Sequence, residues 1–360
     1  MLREDIYEQV RRMDFNRTEP ETLSQLVTGA IRIGDEIKGD YVRLRQLTDD
    51  VLKLLKREGI LKTERITEKE LALRSSKSAS ASDGSFQSVG GADGIWYVPI
   101  SVALVVFEKG ISGTPKVRVG AHIQKIDERK HPNVGSTMEM SMLYAETGIL
   151  KDWARDCPDG TVHFIDGPAM DPPRLTEKEY IIFRTEAIRE CLRKNILVLG
   201  CAKKLLGNFL KEHMENVLRD FEKDQLSQFA SDAHLIYHVF TKASVQSQTG
   251  VYTKPLEVLN TYPLYKLYKN AGLDIYFMYF QREPRSKPFR VDIPVEAGTR
   301  VNTEELGDQV ALVLSAWSYP GYDLPIPIII AHDKCNIRKG CADVLYSEII
   351  TRAASNDPFD

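Results

Sequence analysis

Residues 70–110 read ELALRSSKSASASDGSFQSVGGADGIWYVPISVALVVFEKG. The stretch opens in a serine-rich run, sets Asp83 in front of Gly84, and then turns into a long apolar strand pattern. A carboxylate at the mouth of a buried strand carries a costly charge unless it is hydrogen-bonded or paired with a cation. Asp-Gly is also a common turn dipeptide, and residues 75–86 form the clearest low-complexity segment of the chain, ending in a turn signal. A metal site accounts for Asp83 better than a loop does, provided other carboxylates converge on it.

Downstream, residues 94–110 and 115–126 read as two strands joined by a Gly-rich turn, with alternation strongest in the second. Residues 136–154, STMEMSMLYAETGILKDWA, read as a helix with Ser136 or Thr137 as N-cap. GTVHFIDGPAM (160–170) gives a short strand ending at Asp166, residues 175–195 a helix, and ILVLGCA (196–202) a buried strand. The region from Leu205 to about Ser247 is mostly helical and charged. LDIYFMYFQR (273–282) and PFRVDIPV (288–295) pair as a hairpin, and residues 303–318 form a helix. LPIPIIIAHDKC (324–335) is a final apolar strand or turn running into a helix.

Upstream, Leu23, Leu26, Val27 and Ile31, then Leu44, Leu47, Val51, Leu54 and Leu55, recur at helical spacing. Residues 1–70 are therefore a helical N-terminal arm, and 71–360 form the main domain, with a helical insertion around 205–250. Strands come first as a group and later alternate with helices. That order predicts an α/β fold with a mixed central sheet flanked by helices.

The net charge of −3 excludes bulk basicity as the means of holding a polyanion, so a nucleic-acid partner needs a local basic patch. Five cysteines without a CxxC pair read as reduced thiols, not as a disulfide framework or zinc knuckle. The N-terminus is charged from Arg3 onward, and no segment has the ~20 uninterrupted apolar residues that span a bilayer. The expected compartment is the cytoplasm, with no membrane partner.

Three acidic positions carry candidate chemistry. Asp83 and Asp166 each precede a glycine beside a strand, and Glu139 lies in the first turn of a helix. Together they could form an oxygen cage for Mg2+ or Mn2+, the ions that activate water and stabilise a leaving oxygen in phosphodiester hydrolysis. Singly, each has a structural explanation in turn geometry or the helix dipole. His332 follows an apolar run with Lys334, Arg338 and Lys339 close behind, which suits a phosphate, although a satisfied structural histidine explains it too. Lys203 and Lys204 end a strand, where an ammonium could meet a phosphate or simply be solvated. His234 and His238 share the i, i+4 spacing of a metal pair, but no acidic motif accompanies them and they read as structural.

The order of SDGSF with its following strand pair, HFIDGPAM, FRVDIP and GYDLPIPIIIAH resembles the NurA family of DNA-end-processing nucleases. The resemblance takes in the helical arm and so spans most of the chain. It implies an RNase H-like fold. It places the family's metal-binding carboxylates on Asp83 and Asp166, with the intervening Glu best matched by Glu139 and Glu146, seven residues on, as the alternative. The family's C-terminal Tyr and His fall on Tyr322 and His332, and Lys203 would help to neutralise charge. Where the family shows an apolar strand before its first aspartate, this chain has the Ser/Ala run.

The activity implied is Mn-dependent DNA hydrolysis, by 5′-to-3′ exonuclease action and single-strand endonuclease action. The implied partner is a HerA-type hexameric ATPase docked by a homodimer, in end resection or defence. No P-loop of the form GxxxxGK[ST] is present, so a motor would be a separate chain. A catalytically degenerate subunit that binds DNA or the ATPase is the alternative.

Overall fold

The structure is a computed structural model, and the residues described are 19–170, 177–284 and 286–354. The first eighteen residues of the expected arm, and Leu175 and Thr176 at the start of the helix expected at 175–195, lie outside them. The chain divides into two compact units, Met1–Leu54 and Leu55–Asp360. One continuous helix, Pro20–Arg57, makes up the described part of the first unit and its last turn begins the second. Strand β1 (Leu61–Thr63) then pairs with β8 (Val251–Thr253), so the main sheet begins before residue 70.

The second unit is built on a mixed sheet of eleven strands among the described residues. Its order is β1, β8, β10 (Leu273–Gln281), β11 (Phe289–Glu296), β7 (Leu197–Ala202), β6 (Val162–Asp166), β2 (Ala79–Phe86), β4 (Ile95–Phe107) and β3 (Val89–Gly90). Strand β5 (Lys116–Asp127) adds to β4, and β9 (Leu256–Glu257) to β10. β2, β6 and β7 are mutually parallel, while β4 and β11 run antiparallel to this trio on either side. This is the α/β class with a mixed central sheet flanked by helices that the sequence predicts. The long strand pair (β4 and β5) and the 273–295 hairpin (β10 and β11) form as expected.

The Ser/Ala run is the main surprise. It is no loop: residues 79–86 form β2, near the middle of the sheet, and Ser80 and Ser82 are fully buried. Small side chains are required because both faces of β2 are covered. Ala79 and Ala81 pack in the core with Trp317, Ile328 and Ala331 from helices Thr303–Trp317 and Ile326–Cys335. On the opposite face, the Ser80 hydroxyl meets His163 Nδ1 at 2.9 Å and the Ser82 hydroxyl meets Nε2 at 3.1 Å. Burial, with the nearby Arg184 charge, pushes the imidazole down to about 3, so His163 is neutral, with one donor and one acceptor nitrogen for the two hydroxyls. The second core lies on this face, where Leu104, Ile165 and Val198 pack against Leu150, Trp153 and Cys191 from helices Val134–Asp156 and Lys178–Arg193.

The apolar run near the C-terminus also differs from the strand that its β-branched residues suggest. Ile326–Cys335 is a helix with proline in its first turn, a position where the missing N–H costs no hydrogen bond. The stretch expected to be helical and charged forms helices Phe209–Glu215, Asp220–Ser227 and Asp232–Ser247, of which the first and third are tied together at Asp232. Its carboxylate accepts the Leu210 and Lys211 backbone N–H groups at 2.7 and 3.0 Å.

Glu64, just after β1, is buried against the Ser315 hydroxyl, with Arg282 Nη1 at 3.8 Å. Burial pushes its carboxyl up to about 7, against the pull of Ser315 and Arg282. A raised native pKa means that stability is present below the ordinary Glu value and is lost as pH climbs through about 7. The loss approaches about 3 kcal/mol. Melting curves should therefore show Glu64→Gln with a flatter fall between pH 5 and pH 8 than the parent chain. Parallel curves would refute the assignment.

Candidate metal centre

Alternate residues of neighbouring parallel strands face the same side. Ala81 of β2, Phe164 of β6 and Cys201 of β7 all face the Trp317 core. Two residues farther along each strand direction stand Asp83, Asp166 and Lys203. The parallel trio thus delivers two carboxylates and an ammonium to one place, and helix Ile326–Cys335 lays His332 over them.

Asp83 Oδ2 lies 2.8 Å from His332 Nδ1, and Asp166 Oδ2 lies 3.6 Å from the same nitrogen. Ligand atoms from Asp83, Asp166 and His332 all lie within 4.8 Å of one another, a grouping found only here among the described residues. Lys203 Nζ is 2.7 Å from Asp166 Oδ2. Asp83 Oδ1 accepts the Gly84 N–H at 2.8 Å, which fixes the carboxylate plane. Burial raises the Asp166 carboxyl above the usual range and the Asp83 charge adds to it, while Lys203 and His332 oppose the shift. Two buried carboxylates crowded in this way favour a cation between them. Carboxylate oxygens with one imidazole are a donor set that suits a divalent ion such as Mn2+. The residues present fit a metal.

Gly84 is not a turn glycine. It lies within β2, paired with Val102, and it is not among the positive-φ residues. A Cβ there would come 2.9 Å from Met142 Cγ and 3.5 Å from Glu146 Oε2, so its bare backbone lets helix Val134–Asp156 bring Glu146 up to the strand. Glu146 is buried, with Arg184 Nη1 3.7 Å from its Oε1. Glu139 lies seven residues earlier on the same helix, about 10 Å along its axis, between the buried Met138 and Met140. Of the two glutamates, Glu146 is the one at the Asp83–Gly84 backbone. Gly167, in contrast, has φ 132°, a region that favours glycine, and the chain turns there directly after Asp166.

Tyr322 is not part of the cluster. It is exposed in the turn closed by its N–H to Tyr319 O at 3.0 Å, ahead of the helix whose second turn carries His332. His234 and His238 pack edge to face with ring centroids 5.0 Å apart, and His234 Nδ1 accepts the Ala230 N–H. The sequence reading missed Cys335. Its thiol lies 3.3 Å from Asp83 Oδ2 and is buried. Burial and the Asp83 charge hold the thiol far above its usual value, so it donates as S–H. The only signal in the sequence is its i+3 spacing from His332, which puts both on one helix face.

No curated protein sequence matches the chain. Among solved structures, the NurA nuclease from Sulfolobus solfataricus superposes with a TM-score of 0.58 at 13% identity, covering 91% of this chain and 99% of that one. A crystal structure of NurA bound to dAMP and manganese is more distant, with a TM-score of 0.42 at 12% identity over 90% of this chain and 98% of that one. The NurA domain profile matches residues 77–337. That span begins just before β2 and ends just after the helix bearing His332 and Cys335, so it encloses every residue of the cluster, and the chain belongs to the NurA family.

Proposed function

We propose that the chain is a metal-dependent DNA nuclease that hydrolyses phosphodiesters at the Asp83–Asp166–His332 cluster. The observation that supports this reading is the convergence of two buried carboxylates, an imidazole and an ammonium within hydrogen-bonding reach at the ends of parallel strands. Asp83 and Asp166 would hold the ion, with Glu146 in preference to Glu139 as third carboxylate. Mn2+ is proposed ahead of Mg2+ from family membership. The bound ion would supply Lewis-acid stabilisation of the phosphoryl oxygen and a more acidic water.

The chain's own groups account for the remainder. An ionised Asp83 can only accept, so His332 Nδ1 donates to it and Nε2 is left to exchange a proton with water or with the leaving oxygen. Lys203, about half exposed and seated on Asp166, is placed to balance charge on a non-bridging phosphate oxygen. Tyr322, exposed ahead of the His332 helix, is proposed to contact the incoming strand.

Within the same reading, 5′-to-3′ exonuclease and single-strand endonuclease action, a homodimer and a HerA-type hexameric ATPase are proposed from family membership. End resection or defence is the setting proposed. No helix among the described residues is long and apolar enough to cross a membrane. Incubation of single-stranded DNA with the chain and Mn2+ should give cleavage that EDTA stops and that Asp83→Ala removes while its melting curve persists. Full activity in Asp83→Ala would sink the site. No cleavage by the parent chain, with or without an ATPase partner, would leave the binding-subunit reading.

A further inference from the structure

Residues 116–131, KVRVGAHIQKIDERKH, hold Lys116, Arg118, Lys125, Arg129 and Lys130 against only Asp127 and Glu128, in a chain whose net charge is −3. Most of this stretch is β5, an edge strand whose described pairing is to β4 alone and whose side chains are nearly all exposed. Lys116 is paired with Glu108 at 2.6 Å, and Arg129 with Asp127 at 2.8 Å. Arg118 and Lys125 have no carboxylate partner among the described residues. A long, bare strand edge with uncompensated cations is a poor surface for another β-strand and a good one for a polyanion.

The position of β5 relative to the cluster gives the basic edge its meaning. Asp83 pairs with Ala103, and Ala103 with Val119; Phe86 pairs with Ile100, and Ile100 with His122. β5 therefore runs alongside β2 two strand spacings away, about 10 Å; Val119 shares the Asp83 face, while His122, paired through Ile100 with Phe86, lies on the opposite face, where helix Val134–Asp156 packs. Between it and helix Val134–Asp156 lies an open groove of about 690 Å³, lined by His122, Gln124, Lys125, Ser141, Tyr144 and Ala145. Ser141 and Ala145 flank Met142, and Ala145 adjoins Glu146, so the groove borders the helix segment that reaches Gly84. Tyr144 is fixed at its wall by an edge-on contact with Tyr180, at 5.0 Å between centroids, and a tilted one with Phe183 at 5.8 Å. By alternation Arg118 and His122 lie on the face of β5 that turns to helix Val134–Asp156, whereas Lys125 lies on the other face and lines the groove from the strand edge. An aromatic ring beside a row of cationic side chains is the usual platform for a single strand of nucleic acid.

We propose that this groove and the β5 edge hold a single-stranded stretch of the substrate, with phosphates toward Arg118, His122 and Lys125 and a base against Tyr144. The proposal rests on the nuclease reading for its substrate class but assigns a surface outside the metal cluster. The occupant is a single strand and not duplex, because stacking on the Tyr144 ring requires an unpaired base, which a duplex does not offer.

The test is fluorescence anisotropy of a labelled 20-nucleotide oligothymidylate in EDTA, titrated at several NaCl concentrations. Against the parent chain, Arg118→Gln/His122→Gln/Lys125→Gln should bind about tenfold more weakly near 100 mM NaCl. Its slope of log K against log salt should be shallower by about 2, and its melting temperature unchanged. Tyr144→Ala should lose about tenfold with the slope unaltered. Parent-like affinity and slope in the triple variant would overturn the proposal, as would a parent chain that binds duplex but no single strand. Binding is read without metal, so it stands apart from hydrolysis of a small diester, thymidine 5′-(p-nitrophenyl phosphate), with Mn2+. Loss of that hydrolysis belongs to the cluster, and the β5 variants should retain it within about twofold.

Discussion

Replacing Asp166 with asparagine should abolish Mn-dependent hydrolysis while making the metal-free chain more stable. The fall in turnover should be about a thousandfold or more, since an amide oxygen carries no charge and is a far weaker donor to a divalent ion than a carboxylate; that is ~4 kcal/mol of lost transition-state stabilisation. The gain in stability follows from the native carboxyl being raised, chiefly by burial and then by the Asp83 charge. With a raised native pKa, the native state holds its proton where the unfolded chain has already released it. Stability is thus present below the ordinary Asp value and is lost as pH rises through the native one. The melting temperatures of parent and variant should coincide in strong acid and diverge toward neutral pH, with Asp166→Asn the higher. Adding Mn2+ should raise the melting temperature of the parent chain and leave the variant unmoved. A variant less stable than the parent at neutral pH would show that the Lys203 ion pair at 2.7 Å outweighs desolvation.

A second large effect is expected from packing alone. Gly200 lies in β7, paired with Ile165 on one side and Asp292 on the other. A Cβ there would stand 2.2 Å from the Ala169 backbone nitrogen and 2.9 Å from the Pro168 carbonyl carbon. These are backbone atoms of the segment that leaves Asp166 through Gly167, and a strand paired on both edges has little room to move away. Gly200→Ala should cost about 3 kcal/mol and lower the melting temperature by roughly 4–5 °C. Well below that temperature, hydrolysis should still be reduced, because the displaced segment carries the Asp166 carboxylate with it. A melting temperature equal to the parent's would mean that residues 168–170 do not rest on Gly200.

The cluster was legible in the sequence to different degrees for physical reasons. Asp166 and His332 stand at the ends of apolar runs, and alternation or helical spacing places such residues correctly. Asp83 was legible as a residue but not as part of a strand. Its strand is Ala and Ser, and the cues for a buried strand are β-branched and apolar side chains. What fills the space around β2 instead is His163, Trp317 and Ala331, which arrive from distant parts of the chain. Gly84 and Gly167 look alike in sequence, both following an aspartate, yet one makes room for a helix and the other permits a positive φ. The choice between Glu139 and Glu146 could not be made from helical periodicity, because seven residues bring both to nearly the same face. The contact with Gly84 separates them. Cys335 stayed hidden because a thiol one turn beyond a histidine is an ordinary helix residue until a carboxylate faces it.

The central claim is that Asp83 and Asp166 share a divalent ion, and a crystal of the chain soaked in Mn2+ tests it most directly. The predicted result is an anomalous peak about 2.0–2.3 Å from a carboxylate oxygen of each aspartate, with the Lys203 ammonium withdrawn from Asp166. Ordered density for both aspartates with no anomalous peak between them, and Lys203 still seated on Asp166, would contradict it.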